Sequence, residues 1–104
     1  MAPLVLVTGA SGALGERLLP VLRSAGWRAR CLVHRRPVTG ADELVRGDLD
    51  VQASLDLATE GADAILHLAA LTHARNPRRY EDVNLGGTRR LLVSASKAEV
   101  RRPG

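Results

Sequence analysis

Leu4-Val5-Leu6-Val7-Thr8-Gly9-Ala10-Ser11-Gly12-Ala13-Leu14-Gly15 is the stretch that decides the fold of this chain. It opens on an unbroken apolar run, Leu4 to Val7, whose length suits a strand covered on both faces. Gly9, Gly12 and Gly15 follow at once. Beyond them Leu14, Leu18, Leu19, Val21, Leu22 and Ala25 recur at helical spacing, and Gly26 stops that helix. Pro20 removes the hydrogen bond to the Glu16 carbonyl, so a kink is expected there and not a break. In a strand-loop-helix of this kind each glycine has its own duty. Gly9 takes the tight turn, Gly12 lets the backbone approach a pyrophosphate, and Gly15 lets the helix lie close on the strand. Backbone N–H groups at the helix start then face the anion. Thr8, Gly9, Ser11, Gly12, Ala13, Leu14 and Gly15 are therefore candidate binding residues, where the bland alternative is a glycine-rich turn that only caps a helix.

Outward from this unit, Ala29 to Val33 reads as a second buried strand, and the basic, turn-rich stretch His34 to Gly40 leaves room for a short helix. Leu44 to Arg46 forms a third strand that reaches Gly47 and Asp48. Asp50 is placed to cap a helix from about Val51 to Thr59, ended by Gly61. Ala62 to Ala70, the most apolar segment, makes a fourth strand, and a last helix runs from about Arg78 to Ala98 with Gly86 and Gly87 weakening its middle. Strands that read as buried on both faces and alternate with helices imply a parallel sheet with right-handed crossovers. The expected class is thus α/β, a Rossmann-type sheet of four parallel strands in the order 3-2-1-4 with flanking helices. One domain fills residues 1–104, with 101–104 as a tail, and the chain is expected to stop before a fifth strand. That leaves the fourth strand as an exposed apolar edge, and self-association through it is expected.

Composition sets the limits. The chain has 104 residues, 45% of them hydrophobic but only 2% aromatic, so its core must be built from Leu, Val and Ala. The net charge is +4, and all but one of the 15 cationic residues are arginine, Lys97 being the exception. These arginines are scattered along the chain and lack aromatics to stack on bases, which argues against nucleic acid as a partner. Cys31 is alone, so no internal disulfide forms and a reducing compartment fits. No apolar run approaches the roughly 20 residues of a membrane span. A soluble, cytoplasmic protein without membrane partners is expected. His34, His67, His73 and Cys31 lack compact ligand spacing, so no metal site is expected.

Four blocks carry a resemblance. They are the Thr-Gly-x-x-Gly-x-x-Gly loop at Thr8 to Gly15, Gly47-Asp48-Leu49, His67-Leu68-Ala69-Ala70, and Val83-Asn84-Leu85-Gly86-Gly87-Thr88. In this order the chain resembles the extended short-chain dehydrogenase/reductase family of NAD(P)-dependent epimerases, dehydratases and reductases. The resemblance implies a dinucleotide cofactor and a carbonyl or sugar-type small-molecule substrate. It places Asp48 and Leu49 beside the adenine, with the Asp48 carboxylate accepting from the amino group, and Leu68, Ala69 and Ala70 beside the ribose and nicotinamide. Asn84 is similar to the asparagine that braces the active-site backbone in that family. As plain residues, Asp48 would be a turn aspartate, 68–70 a buried strand end, and Asn84 a local hydrogen bonder.

Dinucleotide folds place an acid about 20 positions past the glycine loop for a ribose 2′-hydroxyl, or an arginine for a 2′-phosphate. Here that position is Arg35, between His34 and Arg36, and no Asp or Glu occurs between Glu16 and Asp42. A guanidinium pairs with phosphate in a bidentate manner. The expected cofactor is therefore NADP(H) in preference to NAD(H), with His34, Arg35 and Arg36 at its 2′-phosphate.

The reactive pair of the family is a Tyr and a Lys four residues apart, set so that the ammonium lowers the phenol pKa. This chain has one Tyr and one Lys, Tyr80 and Lys97, 17 positions apart. No catalytic residue is assigned. The chain reads as the cofactor-binding part of such an enzyme, inactive alone, with substrate contacts only in a longer parent. The alternative function is that of a non-enzymatic redox sensor or regulatory protein that binds the same cofactor.

Overall fold

A computed structural model describes residues 2–68, 89–98 and 102–103. The elements are β1 (Leu4–Thr8), α1 (Ala13–Ser24), β2 (Arg28–Val33), β3 (Glu43–Arg46), α2 (Gln52–Thr59), β4 (Ala64–His67), α3 (residues 89–97) and β5 (Arg102–Pro103). They form one parallel sheet in the order β3-β2-β1-β4-β5. The expected order 3-2-1-4 is present.

β1 lies at the centre of the sheet and all five of its residues are buried, as its unbroken apolar run requires. Its side chains alternate between two cores. Val5 and Val7 join Ala10, Leu19, Ala29 and Cys31 on the α1 side. Leu6 joins Leu55 and Ala58 of α2, Ile65 of β4, and Leu91 and Ala95 of α3 on the other. α1 runs unbroken through Pro20, which is exposed on its outer face.

Two aspartates pin the register. Asp63 Oδ2 accepts the Leu4 N–H at 2.8 Å while the Asp63 N–H donates to Leu4 O at 2.7 Å. Asp42 repeats the arrangement with Ala29, at 2.8 and 2.9 Å. Each thus ties the entry of one strand to the entry of its neighbour. Arg30 then clasps β2 to β3 and to the end of α2. Its Nε lies 2.6 Å from Glu43 Oε2, and its Nη1 donates to Ala58 O and Glu60 O at 2.8 and 2.5 Å, a cation on a helix C-terminus.

The structure departs from the sequence reading in four places. β3 is not covered on both faces: it is the edge strand, and Leu44 is 57% exposed. No short helix stands between β2 and β3, where residues 34–42 run through bends. Asp50 does not cap α2, whose N-cap is Val51 without a side-chain bond, because the Asp50 carboxylate is taken by Arg90 Nη2 at 2.9 Å. Finally, residues 102–103 are not a free tail. Arg102 and Pro103 pair with Ala64 and Ile65, so the first half of the β4 edge is covered by a fifth strand.

Candidate functional site

The carboxyl ends of β1, β2 and β3 open into a cavity of about 370 Å³, within the roughly 300–1,000 Å³ usual for small-molecule sites. The β1 loop supplies Thr8, Gly9 and Ser11 to it, the end of β2 supplies Leu32, His34, Arg35 and Arg36, and the end of β3 supplies Gly47, Asp48, Leu49 and Asp50. Eight residues singled out in the sequence therefore meet here: Thr8, Gly9, Ser11, His34, Arg35, Arg36, Asp48 and Leu49. This is the position in a doubly wound sheet where ligands bind, outside the carboxyl ends of the strands.

Gly9 and Gly15 take the tight turn and the close approach that their spacing suggests, while Gly12 and Gly15 stand outside the cavity lining. Gly9 has φ +78°, a conformation that a side chain disfavours. Gly12 is the N-cap of α1, with no side-chain bond capping the helix, and a Cβ there would find nothing nearer than Gly9 O at 3.9 Å. The loop surface over Gly12 is thus open to a ligand, beside a helix start that favours anions. Gly15 is the opposite case. A Cβ on it would stand 2.3 Å from Ala10 O and 2.4 Å from Ala10 Cα, so only glycine lets α1 approach the loop. Leu14 is half-exposed on α1 and does not line the cavity, while the side chain of Ala13 lies outside the described residues.

Across the cavity, His34 Nε2 lies 3.3 Å from Asp48 Oδ2, and Asp48 Oδ1 accepts the Asp50 N–H at 2.8 Å. The backbone of Asp48 is fixed by Ser54, whose Oγ accepts the Asp48 N–H at 3.0 Å. The Ser54 hydroxyl also lies 2.8 Å from Val51 O and 2.9 Å from Asp48 O. Arg35 and Arg36 are exposed at the cavity, and among the described residues neither meets a carboxylate. They are free to take an anion.

Thr8, fully buried at the end of β1, has its hydroxyl hydrogen-bonded to His67 Nδ1. Burial lowers the His67 pKa, because the charged imidazolium loses solvation. Leu68 donates its N–H to Thr8 O at 2.9 Å and packs on the α1-side core, outside the cavity lining. Ala69, Ala70 and Asn84 lie outside the described residues. So does Tyr80. Lys97 does not line the cavity and pairs with Asp56 at 3.5 Å. Among the described residues no group of His, Cys, Asp and Glu is placed to hold a metal ion, and no helix is long and apolar enough to cross a membrane.

Sequence reasoning missed Leu32, Gly47 and Asp50 as lining residues. Gly47 did carry a signal, since it directly precedes Asp48: a Cβ there would fall 2.6 Å from Leu32 Cδ1 and 3.1 Å from Ser54 Oγ. Glycine at that position spares the Leu32 and Ser54 side chains a shift where the end of β3 meets the cavity.

Three comparisons fit this geometry. The chain is 38% identical over 102 residues to a ceramide reductase of Caulobacter vibrioides, covering 93% of this chain and 32% of that protein. It is 39% identical over 104 residues to sterol demethylase protein B of Methylococcus capsulatus, with the same coverage of 93% and 32%. Among solved structures, a short-chain dehydrogenase/reductase superfamily protein of Agrobacterium tumefaciens with bound NAD superposes with a TM-score of 0.80 at 40% identity, over 96% of this chain and 31% of that one. The chain thus spans about a third of the length of the relatives it matches. A family model described as the NAD dependent epimerase/dehydratase family matches residues 5–103, which takes in the glycine loop, the cavity and all five strands except Leu4, and on that match the chain belongs to this family.

Proposed function

We propose that the cavity binds a nicotinamide adenine dinucleotide, NADP(H) in preference to NAD(H), as the cofactor-binding part of a protein that reduces, epimerises or dehydrates a carbonyl or sugar-type small molecule. The single observation behind this reading is the convergence of the glycine loop, Arg35 and Asp48 on one cavity. The loop over Gly12 takes the pyrophosphate, Arg35 and Arg36 take the 2′-phosphate, and Asp48 with Leu49 borders the adenine. When bound, the cofactor supplies hydride transfer, and this chain supplies its binding and orientation. The relatives support the class: one is named a ceramide reductase, and a structural neighbour carries NAD. That neighbour's NAD leaves the choice of cofactor to residues of this chain. The choice rests on Arg35, where an acid would favour the 2′-hydroxyl instead.

The test is to titrate NADP+ and NAD+ into the wild-type chain and into Arg35→Ala. A charge-assisted bond to a phosphate at an exposed site predicts a loss of about tenfold for NADP+, with NAD+ little changed. Equal loss for both, or none, rules out the preference.

A further inference from the structure

Leu49 and Asp50 form one wall of the cavity, and both are gripped from outside it by Arg90. Arg90 belongs to α3, 40 residues further along the chain than Asp50, and does not itself line the cavity. Its Nε donates to Leu49 O, and its Nη2 donates to Asp50 Oδ1 at 2.9 Å. A guanidinium can make both bonds at once because its donors are held in one plane, whereas an ammonium offers a single point.

The grip is firm because the helix that carries it is firmly seated. Leu91 and Ala95 of α3 are 3% and 4% exposed against the core shared with Leu6 and Leu55. Gln52 Nε2 donates to Arg90 O at 2.7 Å and to Ser94 Oγ at 2.6 Å. Ser94 Oγ in turn donates to Asp56 Oδ1 at 2.6 Å. The backbone of Arg90 is therefore docked on α2, the helix that begins directly after the segment its side chain holds.

Other bonds in this segment do not replace the grip. The Asp50 and Val51 N–H groups return to Asp48 Oδ1 and Asp48 O, and the Asp48 N–H goes to Ser54 Oγ. These bonds fix the turn at Asp48. The Leu49 carbonyl is held from the far helix.

We infer that Arg90 is a positioning residue for the adenine side of the site: it holds Leu49 in the wall and neutralises the Asp50 carboxylate beside an anionic ligand, without touching the ligand. This rests on the cofactor reading above. Arg90 then couples the placement of α3 to the affinity for adenine nucleotide.

The test compares two probes on the full chain. Adenosine diphosphate spans the adenine wall and the glycine loop, and inorganic pyrophosphate uses the loop alone. Arg90→Gln is expected to weaken ADP roughly tenfold and to leave pyrophosphate within about twofold. Arg90→Lys keeps the charge beside Asp50 but not the fork, and is expected to recover only part of the loss. Asp50→Asn, at a side chain 66% exposed, removes one arm of the grip without threatening the fold and is expected to cost less than Arg90→Gln. Should Arg90→Gln fail to melt cooperatively, Arg90→Lys and Asp50→Asn carry the same comparison. Equal effects on ADP and pyrophosphate, or unchanged ADP affinity in folded variants, overturn the positioning role while leaving the cofactor reading intact. Absence of ADP binding by the wild-type chain removes the cofactor reading and this inference with it.

Discussion

His34 Nε2 and Asp48 Oδ2 stand 3.3 Å apart, joining the residue after β2 to the residues after β3 across the cavity. The two side chains are 55% and 33% exposed, so solvent screens the pair and its own contribution to stability is at most about 1 kcal/mol. A weak pair at this place can open when a ligand arrives. His34→Gln is expected to lower the melting temperature by no more than about 4–8 °C, the shift that 1 kcal/mol produces in a domain of this size. Asp48→Ala is expected to weaken adenine nucleotide about tenfold in an equilibrium titration. A larger fall in melting temperature for His34→Gln would show that the pair is a structural tie.

Two glycines of one loop are expected to fail in different ways. In Gly15→Ala the new Cβ collides with the Ala10 backbone at 2.3 Å, and no flexible side chain is there to yield. A loss of about 3 kcal/mol or more is expected in urea unfolding. Gly12→Ala meets open space and an N-cap conformation, φ −85° and ψ 173°, that alanine adopts. It is expected to lose at most about 1 kcal/mol of stability while its cofactor affinity falls at least about tenfold. Equal stability losses would contradict this division.

His67 gives the fold an acid limit. Its pKa is lowered by burial, so over the interval between the folded value and the ordinary imidazole value of about 6.5 the unfolded chain binds more protons. Stability contributed by the neutral ring is present above about pH 6.5 and is lost as pH falls through the lowered folded value. Melting temperatures measured from pH 7.5 down to 4.5 should fall, and His67→Gln should flatten the upper part of that fall. A wild-type profile flat over this interval would contradict the assignment.

Cys31 is fully buried in β2, and burial, with the nearby Asp42 carboxylate adding to it, pushes its pKa up to about 11. An unfolded thiol ionises near about 8.5, so stability falls as pH rises between these values. At pH 8 the native chain should react with a disulfide reagent only as fast as it opens, and 6 M urea should restore rapid reaction of the thiol. Rapid labelling without denaturant would show that β2 is accessible.

How much of this was legible depended on separation along the chain. The glycine loop could be read because β1, the loop and α1 are contiguous, and the roles of Gly9 and Gly15 follow from local geometry. The 3-2-1-4 order followed from buried strands alternating with helices. What escaped was decided by partners far apart. Asp50 sits where a cap belongs, and nothing near it reveals that Arg90 competes for its carboxylate. Arg30 looks like one more surface cation until β2 brings it to Glu43 and the end of α2. Leu44 has the composition of a buried position, yet an edge strand has no cover for that face. Arg102–Pro103 is too short for any periodicity to mark it as a strand.

Isothermal titration of NADP+ and NAD+ into the folded wild-type chain tests dinucleotide binding most directly. One saturable site per chain is expected, tighter for NADP+, and competed by adenosine 2′,5′-bisphosphate. A chain that melts cooperatively but gives no saturable heat with either dinucleotide would contradict the proposed function.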